Sequence, residues 1–388
     1  MKKSWLSLIF PKTHFSSDII ALYSQRLIQG LAIGLLGLFL PIFLYEKLNF
    51  SLSAVMLYYF LTWLAYLFLV QPGARLMSKF GLKLSMMLSV PFLALFYLAL
   101  YFVDVGNAWS FLIMSIIAAT VWRMLYWVPY HTEFAEFTDR ANRGKQIGFL
   151  ESITALIGVL APVLSGFIIA KFGYQSLIVM VIILVVVSMF PLIFTRSVKE
   201  NYSYGYFETF RRLFTKHRRL LYAYGAEGAE NAIGLVIWPL FIYEVLKGNY
   251  LDIGAISALI IFATIVLRLL TGKYTDQMPK RRLLNLGTLI YSVGWILKVF
   301  VETGYQIFLV STYHNLAQSV MRTPFDAMTY ERMADAGHYV DEMTVFREMS
   351  LNLGKALMYL VLLILVGIVS LKSIFWFAAI FSLFMNLI

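Results

Sequence analysis

The chain reads LPIFLYEKL over residues 40–48 and WPLFIYEVL over residues 238–246. Both follow the form P-x-F-x-Y-E-x-L, and Pro41 and Pro239 stand 198 residues apart. Other pairs follow in the same order. AIGL recurs at 32–35 and 232–235, and ARLMSKFGLK at 74–83 aligns with GKYTDQMPKR at 272–281. PYH at 129–131 matches PFD at 324–326, and FLES at 149–152 matches FREM at 346–349. Every offset stays near half of the 388 residues. Such a period is far too long for a solenoid, so the chain is read as two similar halves.

Composition says where those halves reside. Hydrophobic residues make up 60% and charged residues 14% of the chain, with a mean hydropathy of +0.76. A soluble domain has about 45–50% apolar and about 25% charged residues. Residues 85–103 and 177–195 carry no charge, and each approaches the roughly 20 residues that a helix needs to cross hydrocarbon. Polar breaks divide the chain into twelve expected spans, near 18–46, 51–77, 82–103, 107–136, 143–171, 174–195, 218–246, 252–276, 281–301, 305–335, 342–370 and 372–388. There is no cysteine, which excludes disulfide and thiol chemistry. The N-terminal apolar stretch WLSLIF is too short for a signal peptide.

The 32 lysines and arginines sort by side. If the N-terminus and every even-numbered loop share one side, 22 fall there, five fall opposite and five fall inside spans. This asymmetry predicts a multi-pass protein of the plasma membrane with both termini cytoplasmic. It also explains the net charge of +11 without nucleic acid as a partner. The expected organisation is a first half (1–195), a linker (196–217) and a second half (218–388). An even number of spans per half inserts both halves the same way, as a parallel duplication. In the linker, Phe207, Phe210, Leu213 and Phe214 recur at helical spacing among Arg211, Arg212 and Lys216. That pattern suits an amphipathic helix on an anionic leaflet, and a regulatory or nucleic-acid-binding element is the alternative.

The loop motifs carry a family resemblance. In the second half, Gly272, Asp276, Lys280 and Arg281 match G-x-x-x-D-R-x-G-R-K, with Pro279 replacing its second glycine. The first copy keeps Lys79, Gly81 and Lys83 but has Ala74 for glycine and Ser78 for the acid. In the fifth span, Ala161, Pro162, Ser165 and Gly166 form a small-residue version of the G-P-x-x-G-G motif of exporters and antiporters. The chain thus resembles the major facilitator superfamily (MFS). The resemblance implies an all-α integral membrane protein of twelve transmembrane helices in two parallel six-helix halves, working as a monomer by alternating access. It also implies that spans 1, 4, 7 and 10 line a central cavity and that the loop charges gate it.

No G-x-x-x-x-G-K-[ST], H-E-x-x-H or G-x-S-x-G motif occurs, so ATP use and enzymatic catalysis are not expected. No metal or cofactor is expected, and the proton gradient is the expected driving force. Charges inside spans are costly in hydrocarbon and mark function by default. Arg26, Arg123 and Arg322 lie on spans 1, 4 and 10, and Glu227 and Glu230 lie three apart on span 7. The arginines suit an anionic or polar solute, since guanidinium offers forked donors, and either glutamate suits a proton carrier. The bland alternative is structural ion pairing. Tyr126 and Trp127 flank Arg123 and suit either stacking on a ringed substrate or core packing. His131, Glu151, Asp326 and Glu348 occupy matching positions of the two halves and read as gating or structural charges. Gly30 and Gly34 form G-x-x-x-G, which suits close packing within the chain. The expected function is secondary active transport of a small organic solute, as proton-coupled antiport (efflux). Proton-coupled uptake of a sugar or organic anion is the alternative, and a non-transporting sensor or lipid-handling protein is another.

Overall fold

A computed structural model of the chain describes residues 16–137, 143–275, 278–335 and 340–388. Asp276 lies outside them, and the side chains of Glu151 and Gly272 are likewise outside the description. The elements are α1 (Ser17–Gly37), α2 (Leu40–Lys47), α3 (Leu52–Phe80), α4 (Leu82–Tyr101), α5 (Ala108–Phe137), α6 (Arg143–Val187), α7 (Met189–Leu192), α8 (Tyr206–Thr215) and α9 (Arg218–Ala232). A π-helical turn (Ile233–Ile237) leads into α10 (Trp238–Val245). Then come α11 (Tyr250–Thr275), α12 (Lys280–Lys298), α13 (Gly304–Asp335), α14 (Val340–Leu365) and α15 (Leu371–Phe384). Seven of the described helices are long and apolar enough to cross a membrane.

Local chemistry sets the breaks. Ser16, Ser51 and Ser370 cap α1, α3 and α15, each side chain accepting from the backbone N–H three residues on. Gly81 has φ 85°, so α3 stops and α4 starts at once, a conformation that glycine adopts without penalty. The fifth and sixth expected spans form one element, α6, broken at Gly173 with φ 81°. The repeated phrase begins α2 and α10, with Pro41 and Pro239 in their first turns. There a proline lacks only a donor that a helix start leaves free.

Within the first half, α1 packs on α6, and α5 packs on α3 and α4. Within the second, α9 packs on α14, and α12 packs on α13 and α15. Two seams join the halves, α3 against α14 and α6 against α11. On the first seam Tyr59 stacks on Tyr359 with ring centroids 5.4 Å apart. On the second, the α6 motif meets α11 at backbone distance: a Cβ added to Gly254 would collide with the Pro162 carbonyl oxygen. Ser165 donates to the Leu35 carbonyl oxygen of α1 at 2.5 Å, and Ala161 lies 3.5 Å from where a Gly34 Cβ would sit. The small residues of Ala161–Gly166 therefore bring α1, α6 and α11 together.

The two ends of the bundle are fastened differently. At the end carrying the repeated phrase, the Glu46 carboxylate accepts from Tyr243 at 2.8 Å and from Tyr250, across the halves. At the linker end, the strand-like stretch before α8 lies between α3 and α14. Gln71 donates to the Tyr204 carbonyl oxygen at 3.0 Å, and Tyr204 stacks on Phe346. The Ser203 hydroxyl donates to Glu342 at 2.6 Å. On α8, Leu213 is buried, Phe210 packs against Phe68, and Phe207 is 84% exposed. Arg212 holds the Glu208 carboxyl below its ordinary range by a 2.7 Å hydrogen bond.

The backbone contact at the second seam gives a stability test. Gly254→Ala is expected to destabilise the protein by about 1–3 kcal/mol through overpacking. Gly225→Ala, whose new carbon has no neighbour nearer than 3.8 Å, should cost much less. Thermal unfolding of the purified variants measures both, and equal melting temperatures would contradict the account.

Candidate functional site in the central cleft

The first half presents its cations on aromatic faces rather than on carboxylates. The Arg26 guanidinium on α1 lies 5.1 Å from the ring centres of both Trp127 and Tyr130 on α5. One turn of π-stacking continues along α5, with Tyr126 on Tyr130 at 5.5 Å and Trp127 on His131 at 5.7 Å. Tyr126 is fully buried and donates to Gln25, which bonds Gln29 in turn. Tyr126 is therefore part of the packing, whereas Trp127 is half-buried beside Arg26.

Arg123, further along α5, lies 4.5 Å from the ring centre of Trp63 on α3 and 5.3 Å from that of Trp122. The second half adds Lys355 of α14, whose ammonium lies 3.9 Å from the same Trp63 ring. Cations from both halves thus converge on one indole. The Arg123 Nη1 and the indole nitrogens of Trp63 and Trp122 are buried without a hydrogen-bond acceptor. Buried donors left unsatisfied cost about 1–3 kcal/mol each, so the Nη1 of this cation and the two indoles beside it are donors that acceptor oxygens would satisfy.

The second half, by contrast, balances its charges. Arg322 on α13 bonds Asp326 at 3.0 Å and pairs with Glu227 on α9. Arg347 pairs with Glu348 at 3.3 Å, and Tyr66 of the first half donates to Glu348 at 3.4 Å. Glu230 faces elsewhere, accepting from Tyr291 at 2.6 Å and from the Trp295 indole at 3.1 Å. Beside it the Lys298 ammonium, only 2% exposed, lies 3.8 Å from the Trp295 ring centre and 4.4 Å from that of Trp238. His314 stacks on Tyr291 at 4.5 Å.

Two positions differ from the sequence expectation. Lys298 and Arg347 read from the sequence as charges of the two membrane faces, yet Lys298 is buried and held by rings, and Arg347 is partly buried and held by a carboxylate. A basic residue near a span end ordinarily snorkels to the interface, which hides this in the sequence. Glu227 and Glu230 share a helix but reach different neighbours. Trp63 carries no sequence signal beyond being an aromatic in an apolar span.

The loop motif of the first half is held by the linker. Ser78, standing where the motif has its acid, accepts from the Tyr202 backbone N–H at 2.7 Å. Lys83 donates to the Ile193 and Thr195 carbonyl oxygens at 2.6 and 2.7 Å. Lys79 lies over Phe80. Asp276, the acid of the second copy, and Glu151 fall outside the description, so their partners do not enter the site. Among the described residues no group of three or more His, Asp or Glu side chains has metal-binding spacing.

Glu230 makes the site's stability testable. Tyr291→Phe removes one donor from a buried carboxylate, with an expected cost of about 1–3 kcal/mol. Tyr313→Phe, an exposed phenol bonded to the Ile290 carbonyl oxygen, should cost less than about 1 kcal/mol. Denaturation midpoints that do not separate the two would contradict the assignment of that bond.

Comparisons with known proteins agree with this architecture. The family model described as Major Facilitator Superfamily matches the chain twice, over residues 22–226 and 220–388. The uncharacterized protein YqgE of Bacillus subtilis (strain 168) is 22% identical over 310 residues, which cover 76% of this chain and 70% of YqgE. The crystal structure of PepTSo, a POT family transporter, superposes with a TM-score of 0.70. That match covers 96% of this chain and 97% of PepTSo at 10% identity, so it bears on the fold alone. With both halves matched by one family and apolar helices along the whole chain, this protein is a multi-pass membrane transporter of the Major Facilitator Superfamily.

Proposed function

We propose that the chain is a proton-driven secondary transporter of the plasma membrane, with cytoplasmic termini, that exports a small organic anion by antiport. The observation that carries the anion is the set of buried donors around Arg123, which find no acceptor, under the ammonium of Lys355. Guanidinium and indole N–H groups together recognise carboxylate oxygens. Arg26, Arg123, Lys355 and Arg322 hold the substrate in this reading, and Trp127 lies against it beside Arg26.

Coupling falls to the Glu227–Arg322–Asp326 group. Two carboxylates share one guanidinium there, and one Glu227 oxygen is buried without a partner. A proton arriving on Glu227 frees Arg322 for the substrate, and a substrate held by Arg322 frees Glu227 for a proton. The proton and the anion then favour each other's binding, so this group supports coupling and, taken alone, favours the symport reading. Direction rests on the Ala161–Gly166 motif, which seats α6 on α11 here and resembles the motif that exporters of the family carry. Uptake of an organic anion by symport is the second reading, and it uses the same arginines. The gradient replaces any cofactor, and one chain holds both halves of the cleft, as a monomer requires.

Purified protein in liposomes with an internal pH-sensitive dye tests this. Proton movement is expected against a gradient of small carboxylates and not with neutral sugars. Arg123→Gln should lower that flux by about ten- to a hundredfold, the loss of one charge-assisted contact. Glu227→Gln should abolish the proton movement while the protein still folds. Proton movement together with the anion would reverse the direction, and normal flux in both variants would overturn the proposal.

A further inference from the structure

Beside Arg26 a cavity of about 330 Å³ opens between α1, α6 and α11. Its walls are mostly apolar. Leu27 and Leu38 on α1, and Ile157, Ala161 and Pro162 on α6, meet Ile261 on α11 there. Among the described residues Arg26 is its one charged lining residue. The glycines of α1 shape it. A Cβ added to Gly34 would touch Ala161, but nothing lies within 4 Å of a Cβ added to Gly30 or Gly37. The close packing expected from G-x-x-x-G is therefore met at Gly34 alone, and Gly30 borders open space. Arg26 and Leu38 are twelve residues apart on one chain direction, so the cavity runs about 18 Å along the bundle at ~1.5 Å per residue.

We infer that this cavity takes the apolar body of the substrate, whose carboxylate is shared by the cations of the proposed anion site, of which Arg26 lines the cavity. The ligand class is an amphipathic monoanion: one carboxylate on a slender apolar chain or ring. Charge complementarity places the head, since the guanidinium here rests on Trp127 and Tyr130 and has no carboxylate among its described contacts. Volume limits the tail. The space is at the low end of small-molecule sites, about 300–1,000 Å³, and does not admit a two-chain phospholipid. Thr154 lines the same cavity and offers one hydroxyl near the head, though it already donates to the Leu150 carbonyl oxygen. The remaining surface rewards methylene groups and penalises hydroxyls, because nothing along it can bond them.

This inference rests on the anion-transport reading, and a binding series separates the two. Calorimetric titration of the purified protein with butanoate, hexanoate and octanoate is the experiment. In the wild type, affinity should rise by roughly fourfold per methylene, the full transfer value. Gly37→Leu narrows the end of the cavity about three turns away from Arg26, and should flatten that rise while leaving butanoate binding intact. Arg26→Gln should weaken all three. Comparison of variants in the same detergent cancels ligand partitioning into micelles. A rise with chain length that survives Gly37→Leu would overturn the cavity assignment while leaving the anion reading in place. Absence of binding by every carboxylate would remove both.

Discussion

A charge placed in hydrocarbon must be neutralised, solvated or spread over polarisable surface. That constraint organises the whole of this bundle. In the second half two arginines are paired, Arg322 with Glu227 and Asp326 and Arg347 with Glu348, while Lys298 and Lys355 rest on rings. In the first half the answer is aromatic. Arg26 rests on Trp127 and Tyr130, and Arg123 on Trp63 and Trp122. Cation–π contact is worth about 0.5–2 kcal/mol, much less than a buried charge costs to desolvate. Rings therefore hold Arg123 without satisfying its Nη1, and that opening is what the proposed anion would fill. A salt bridge in the same place would already be complete.

The asymmetry between halves gives the duplication its use. One family model matches both halves, and the paired phrases at Pro41 and Pro239 mark corresponding positions in them. The copies have since diverged at the charged positions that face the cleft. The Ser78 loop shows the same divergence at the linker end. With no acid to brace, its hydroxyl receives the Tyr202 N–H, and the loop secures the linker instead. The linker in turn reaches Glu342 on the second half. A change in the distance between halves at that end must be accommodated by this stretch.

Fold was legible in the sequence because hydrocarbon length and charge asymmetry act on whole segments, and averages over twenty residues survive local noise. The break at Gly173 was legible as the gap between the fifth and sixth expected spans, and the structure adds that a single positive φ makes it within one helical element. Site residues were less legible. Glu227 and Glu230 were placed on one face, but residues three apart on a helix differ by about 60° around its axis. Long side chains amplify that angle until one meets α13 and the other α12. The roles of Trp63 and Lys355 depend on the α3–α14 seam, whose register no local pattern encodes.

The central claim is that an anion, and not a neutral solute, fills the cationic cleft at Arg123. Charge movement in protein-loaded membranes on a solid support tests it most directly. At equal pH on both sides, adding a small organic anion should displace negative charge into the protein, and a neutral sugar should not. Arg123→Gln should remove that signal while a folded protein persists in the membrane. A response to neutral solutes, or an anion response indifferent to Arg123, would contradict the account.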